Sequence, residues 1–331
     1  MQTGVFTQLR AAMCRYWATT NGTQRVLFVT GTLLFLVMAV HVVALALTGG
    51  AMRGPVSLRK PATFAETGWL MCWSVAWAVG VLGLGRGVRR VVAFGTLLFG
   101  TTETAWVGTQ AWRGVPSHYN FATDFDAALF LIEGGVAAIF FVSTVVLLVA
   151  AFRARGIAPS LRLAILAGAG MVLCGCATGI LMAANMSGIW EGAFFSNLAR
   201  RRVNGYAGPP AGLVGGDLVM LHAVGLHGLM LISLAAWLLT YTTLPETERT
   251  RRTGLVVAII VSAAVILTVQ VFRVRPVGAF DPVATLLLAV LGVALLIVYG
   301  GIVARVIREG HFPALPVSPR GTVFDRGAAA A

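Results

Sequence analysis

The chain has 331 residues, 58% of them hydrophobic and 11% charged, with a formal net charge of +13. Soluble globular domains carry about 25% charged residues, so this composition excludes a soluble enzyme or binding module and implies an integral membrane protein. The positive charge does not signal nucleic acid, because the arginines flank apolar runs as membrane topology requires and no binding motif accompanies them.

Residues 1–25 hold scattered arginines and no short apolar core with a small-residue cleavage site. They read as a cytoplasmic N-terminal segment, not a signal peptide. A membrane span needs about 20 apolar residues, and eight runs qualify: 26–48, 66–85, 91–112, 127–151, 163–185, 218–241, 254–272 and 282–304. All must be helical, because hydrocarbon offers no partner for unpaired backbone groups. Barrel strands would instead be about 10 residues of alternating polarity. The predicted fold is therefore all-α, a polytopic transmembrane helical bundle over 26–304. Residues 305–331, rich in Pro, Gly and Ala, predict a disordered cytoplasmic tail.

Orientation follows from the basic residues. With the N-terminus inside, cytoplasmic segments carry 16 Arg and outer segments 9 Arg or Lys, so both termini are predicted to be cytoplasmic. Small residues recur within the spans (Gly95, Gly100, Gly168, Gly170, Gly225, Gly228, Gly300, Gly301) and allow close helix approach. No repeat of one half in the other is evident. Cys14, Cys72, Cys174 and Cys176 lie in or near apolar segments, which implies packing and not a disulfide framework.

Charged side chains at mid-bilayer cost at least about 2.5–3.5 kcal/mol, so those within the spans mark candidate sites. At 1.5 Å per residue, His41 lies about 10 Å below the outer boundary, Glu103 about 14 Å, Glu133 about 9 Å, His222 about 6 Å and His227 about 14 Å. All five fall in the outer half, whereas no Asp, Glu or His lies in the inner half of a span. Glu103 and Gln110 are seven apart on one helix face. Glu103 suits a proton relay or metal ligand on one reading, and a hydrogen bond across helices on the other, with Gln110 beside it in the polar pocket; Glu133 divides the same way. His222 and His227 are five apart and point to different sides, unlike a chelating i, i+4 pair. Neutral histidine is a good haem or metal ligand. His227 lies between Gly225 and Gly228, where a flat macrocycle could approach, and His41 could supply a second axial ligand if spans 1 and 6 are neighbours.

The outer loops extend this layer. His118 reads as a loop-surface residue that could fold into the pocket beside Asn120. Asp124 and Asp126 suggest either a cation site or, with Thr123, a helix cap. The 186–216 loop is long enough for a lid and carries Arg200, Arg201 and Arg202, either an anion site or a solvated charge run. Phosphate-loop, nucleophile-elbow and HExxH patterns are absent. The single lysine, Lys60, is predicted in a loop, which disfavours a retinal Schiff base within the membrane.

The stretch from Glu103 to Asn120 (ETAWVGTQAWRGVPSHYN), the RKPATF run at 59–64 and the HAVGLHG run at 222–228 together resemble a family of uncharacterised multi-pass bacterial membrane proteins. The resemblance implies a helical bundle of the plasma membrane with no established activity. It marks Lys60, Glu103, Gln110, Arg113, His118, Asn120, His222 and His227 as signature positions. It also implies a histidine near the outer end of span 5, where this chain has Met182 to Asn185 instead. Three functions remain open: a redox or metal-handling protein with haem or a metal ion held by His41, His222 and His227; a proton-coupled transporter or exporter of a small molecule, in which Glu103 and the histidines relay protons and the long outer loop gates access; and a structural or lipid- or quinone-binding subunit.

Overall fold

The structure is a computed structural model and describes residues 5–50, 56–184, 218–273, 275 and 279–309. Nine helices run through them: α1 (Val5–Thr19), α2 (Gly22–Thr48), α3 (Arg59–Leu82), α4 (Arg86–Trp112), α5 (Asp124–Arg153), α6 (Pro159–Ala184), α7 (Leu218–Leu239), α8 (Glu246–Phe272) and α9 (Pro282–Glu309). The 186–216 loop with Arg200 to Arg202, Asp217 and the tail beyond Glu309 lie outside the described residues.

Helix ends follow local chemistry. Asn21 closes a capping box on α2: its side chain accepts from the Gln24 N–H, and the Gln24 side chain accepts from the Asn21 N–H, both at 3.1 Å. Gln24 also donates to the Ala76 carbonyl at 3.1 Å and so fastens α2 to α3. Several helices start earlier than the apolar runs suggest, α3 at Arg59 and α8 at Glu246 among them, because a helix continues through its polar first turns. The N-terminal segment contains α1, which hydropathy alone does not mark.

Six helices, α2 and α5 to α9, are long and apolar enough to cross a membrane. They make this a multi-pass membrane protein. The more polar α3 and α4 take inner positions. α3 packs between α2, α4 and α7, and 12 of its 24 residues are buried. α9, by contrast, buries only Ala284, Ile302 and Val306 and leaves Leu286, Val290, Leu296 and Ile297 exposed, as lipid contact allows and water does not.

The packing order repeats. α2 packs on α3 and α4, α3 on α4, and α4 on α5; correspondingly α6 packs on α7 and α8, α7 on α8, and α8 on α9. The halves join through α3 with α7 and α5 with α6. The corners match as well. At α4–α5, Gln110 and Arg113 donate to Asp126 at 2.8 and 2.7 Å. At α8–α9, Gln270 and Arg273 donate to Asp281 at 3.0 and 3.2 Å. A partial similarity of halves, broken where α7 packs on α9 without a comparable α3–α5 contact, is therefore visible in the packing.

Glycines set the tightest crossings. A Cβ on Gly225 would lie 2.6 Å from the Gly175 nitrogen, and one on Gly175 would lie 2.8 Å from the Leu226 nitrogen. Between α3 and α4, a Cβ on Gly68 would lie 3.1 Å from the Gly100 carbonyl oxygen. Gly170, Gly300 and Gly301 face open space and serve no such contact. Gly225→Val should therefore destabilise the α6–α7 pair by about 1–3 kcal/mol, read as a lower melting temperature in detergent, whereas Gly292→Ala, with nothing within 4 Å, should not.

Candidate functional site

Four side chains from α3, α4, α5 and the 113–123 loop meet at one end of the bundle: Lys60, Glu103, Glu133 and His118. One ligand atom each from Glu103, His118 and Glu133 lies within 4.8 Å of the other two. Glu103 and Glu133 are buried, 6% and 4% exposed. Glu103 Oε2 and both Glu133 carboxylate oxygens are buried with no hydrogen-bond partner. His118 Nδ1 stands 3.8 Å from Glu133 Oε2. Lys60, in the first turn of α3, donates from Nζ to Ser117 Oγ and approaches His118 Nδ1 at 3.2 Å, and its charge acts on both carboxylates.

An ammonium has only donors, so the Lys60 contact fixes His118 Nδ1 as the acceptor of a neutral ring. Ser117 Oγ also lies 2.9 Å from that nitrogen. The ring sits among Phe64, Tyr119 and Phe130, with centroids at 5.4, 6.4 and 6.3 Å. Desolvation there, reinforced by the Lys60 charge, holds the imidazole well below its usual range.

The loop reaches inward because it is pinned at both ends. Thr123 caps α5, accepting from the Asp126 N–H at 3.1 Å, while its hydroxyl donates to Asp126 Oδ2 at 2.8 Å. Asp126 also takes Gln110 and Arg113, and Arg113 bonds Gln110. Asn120 donates to the Pro116 carbonyl and accepts from the Ala122 N–H, both at 3.1 Å. Tyr119, at φ 55°, makes the left-handed step that turns the chain beside His118. Gln110, Arg113 and Asn120 thus brace the loop and the start of α5. Asp126 serves the cap and the Arg113 ion pair.

His118 is not a bystander on the loop surface, although in sequence it looks like one. Ser117, which carries the Lys60–His118 contact, was missed as a functional residue; its only signal is that it precedes His118. Among the described residues, His41, His222 and His227 do not bring a ligand atom into the 4.8 Å group. His41 Nδ1 bonds the Val37 carbonyl at 2.8 Å, and its Nε2 accepts from Trp112 Nε1 at 3.1 Å. His222 Nδ1 bonds the Gly175 carbonyl at 2.6 Å, although its charge would reach His118. His227 Nδ1 bonds Ala223 in its own helix at 2.9 Å.

These residues do not fit a haem held between His41 and His227. α2 packs on α3 and α4, and α7 on α6, α8, α3 and α9, so the two helices are not paired. Both nitrogens of His41 are engaged. The glycine faces beside His227 are already filled: Gly175 backbone lies against Gly225, and Met171 Cγ would stand 3.0 Å from a Cβ on Gly228.

The chain matches no protein family, no curated protein and no solved structure.

Because the folded chain holds His118 neutral where an unfolded imidazole takes a proton, this residue withdraws stability as pH falls below about 6.5. Thermal melts of the wild type should show that decline, and His118→Gln should flatten it. NMR titration of the ring should place its midpoint below the usual imidazole value.

Proposed function

We propose that this chain is a proton-coupled transporter of the plasma membrane, with eight spans and both termini cytoplasmic. Its proton-exchanging site is the cluster of Glu103, Glu133, Lys60 and His118 at the extracytoplasmic end. One observation carries the reading: among the described residues, two buried carboxylates, with oxygens that no hydrogen bond satisfies, face the one ammonium of Lys60. Fully ionised, the group keeps one uncompensated negative charge, and an unpaired buried charge costs several kcal/mol. A proton supplies the missing charge, and its loss exposes a site for another cation. Ionisable groups placed this way within a bundle mark ion or proton paths.

Two further observations support the reading. The halves repeat one packing order, and parallel repeats are a common transporter architecture. Lys60, Glu103, Gln110, Arg113, His118 and Asn120 of the two outer motifs meet in one cluster and its brace. That meeting supports membership of the multi-pass bacterial family that the motifs resemble.

Infrared difference spectra across a pH step should show a buried carboxyl exchanging its proton, and Glu103→Gln with Glu133→Gln should abolish that band. In proteoliposomes with an internal pH dye, Glu103→Gln should slow proton entry about tenfold or more. A carboxyl band retained in the double variant overturns the reading. For orientation, Arg155→Cys in a background without the four native cysteines should react with an impermeant maleimide only in inverted membranes.

A further inference from the structure

The cluster also has the makings of a metal site, and the inference rests on the reading above that this is where the protein exchanges cations. Three observations converge. First, the three ligand atoms come from separate elements, α4, α5 and the 113–123 loop, and already lie within 4.8 Å of one another. Bonds of about 2.0–2.2 Å to a central ion need these atoms to close by only a fraction of that spacing. Second, Glu103 and Glu133 are more than nine-tenths buried, and their unpartnered oxygens are lone pairs directed at nothing else. Third, His118 Nδ1 already presents its lone pair to a cation, the Lys60 ammonium at 3.2 Å.

We propose that Glu103, Glu133 and His118 bind one divalent transition-metal ion of the zinc or manganese class, in the place that the Lys60 ammonium holds in its absence.

The charge balance favours a divalent ion. Two carboxylates and an ammonium leave one negative charge, whereas two carboxylates and a divalent ion leave none. The donor set of one imidazole nitrogen and carboxylate oxygens suits borderline ions. It disfavours calcium and magnesium, which take oxygen ligands almost exclusively. Lys60 is only partly buried at the start of α3, and its long side chain can turn away still charged. His222 stays outside the ligand set because, among the described residues, only Glu103, His118 and Glu133 bring ligand atoms within 4.8 Å of one another; its Nδ1 contact to the Gly175 carbonyl does not itself exclude it.

The test uses the full chain in detergent, stripped with a chelator and titrated with ZnCl2 or MnCl2 by calorimetry, with bound metal counted by elemental analysis. One ion per chain is expected. Glu133→Gln and His118→Ala should each weaken binding about tenfold or more, His227→Ala should leave it unchanged, and Lys60→Met should tighten it. Should Glu133→Gln fail to fold, His118→Ala, on the loop, still decides the matter. Absence of binding in the wild type, binding unaffected by His118→Ala, or binding lost in His227→Ala instead would overturn the metal site. Lys60→Met that binds no tighter would overturn the displacement. The infrared carboxyl band, measured without metal, separates this outcome from the proton reading: a band present with no metal bound removes the metal alone.

Discussion

A bilayer cannot solvate charge, and that constraint decides where each helix of this protein sits. α3 carries Lys60 at its start and α4 carries Glu103 and Gln110. Both helices turn these groups inward, while Val91 and Phe94 of α4 stay exposed. The most apolar helices divide, with α9 largely exposed and α7 buried between α3, α6, α8 and α9. The interior is mainly hydrophobic, and what the polar residues determine is which faces of α3 and α4 turn into it. Helix association must then come from close contact, since lipid already solvates leucine as well as a neighbouring helix does. The glycine crossings at Gly68–Gly100 and Gly175–Gly225 supply such contact.

Within that interior the cluster is held together by unlike charges and kept apart from water by a short loop. Lys60 offsets part of the charge of Glu103 and Glu133, and Ser117 and His118 share its donors. None of this would persist without the brace outside it. Asp126 takes two cationic or amide partners and closes the first turn of α5, so the loop bearing His118 cannot drift from the helices bearing the carboxylates. The metal and proton readings draw on the same arrangement: two buried carboxylates and, among the described residues, one ammonium beside them.

Much of the fold was legible in the sequence because hydropathy measures the property that membranes select. The apolar runs anticipate the cores of α2 and α5 to α9. Their boundaries were harder to read, since a polar first turn remains helical when a cap such as Asn21 or Thr123 satisfies it. α1 was invisible to a search for apolar runs. For the site, the sequence correctly grouped Glu103 and Glu133 in one layer, because depth follows from counting residues. It marked His118 as able to fold inward but did not rank it above the histidines in the spans. His41, His222 and His227 look like ligands because they lie in spans, yet none brings a ring nitrogen into the group formed by Glu103, Glu133 and His118. His118 looks superficial because it lies in a loop, and only the left-handed turn at Tyr119 with the Asp126 brace brings it inward. Such turns leave no periodic trace.

The two Gln–Arg–Asp corners differ in what surrounds them. Seven residues before Gln110 stands Glu103; seven before Gln270 stands Ala263. Seven after Asp126 stands Glu133; seven after Asp281 stands Leu288. The α8–α9 corner thus keeps the clasp and has no acid to guard. Among the described residues the brace therefore recurs in both halves, whereas the Glu–Glu–His grouping occurs in one, so the corner can stand as a structural clasp independently of any charge beneath it.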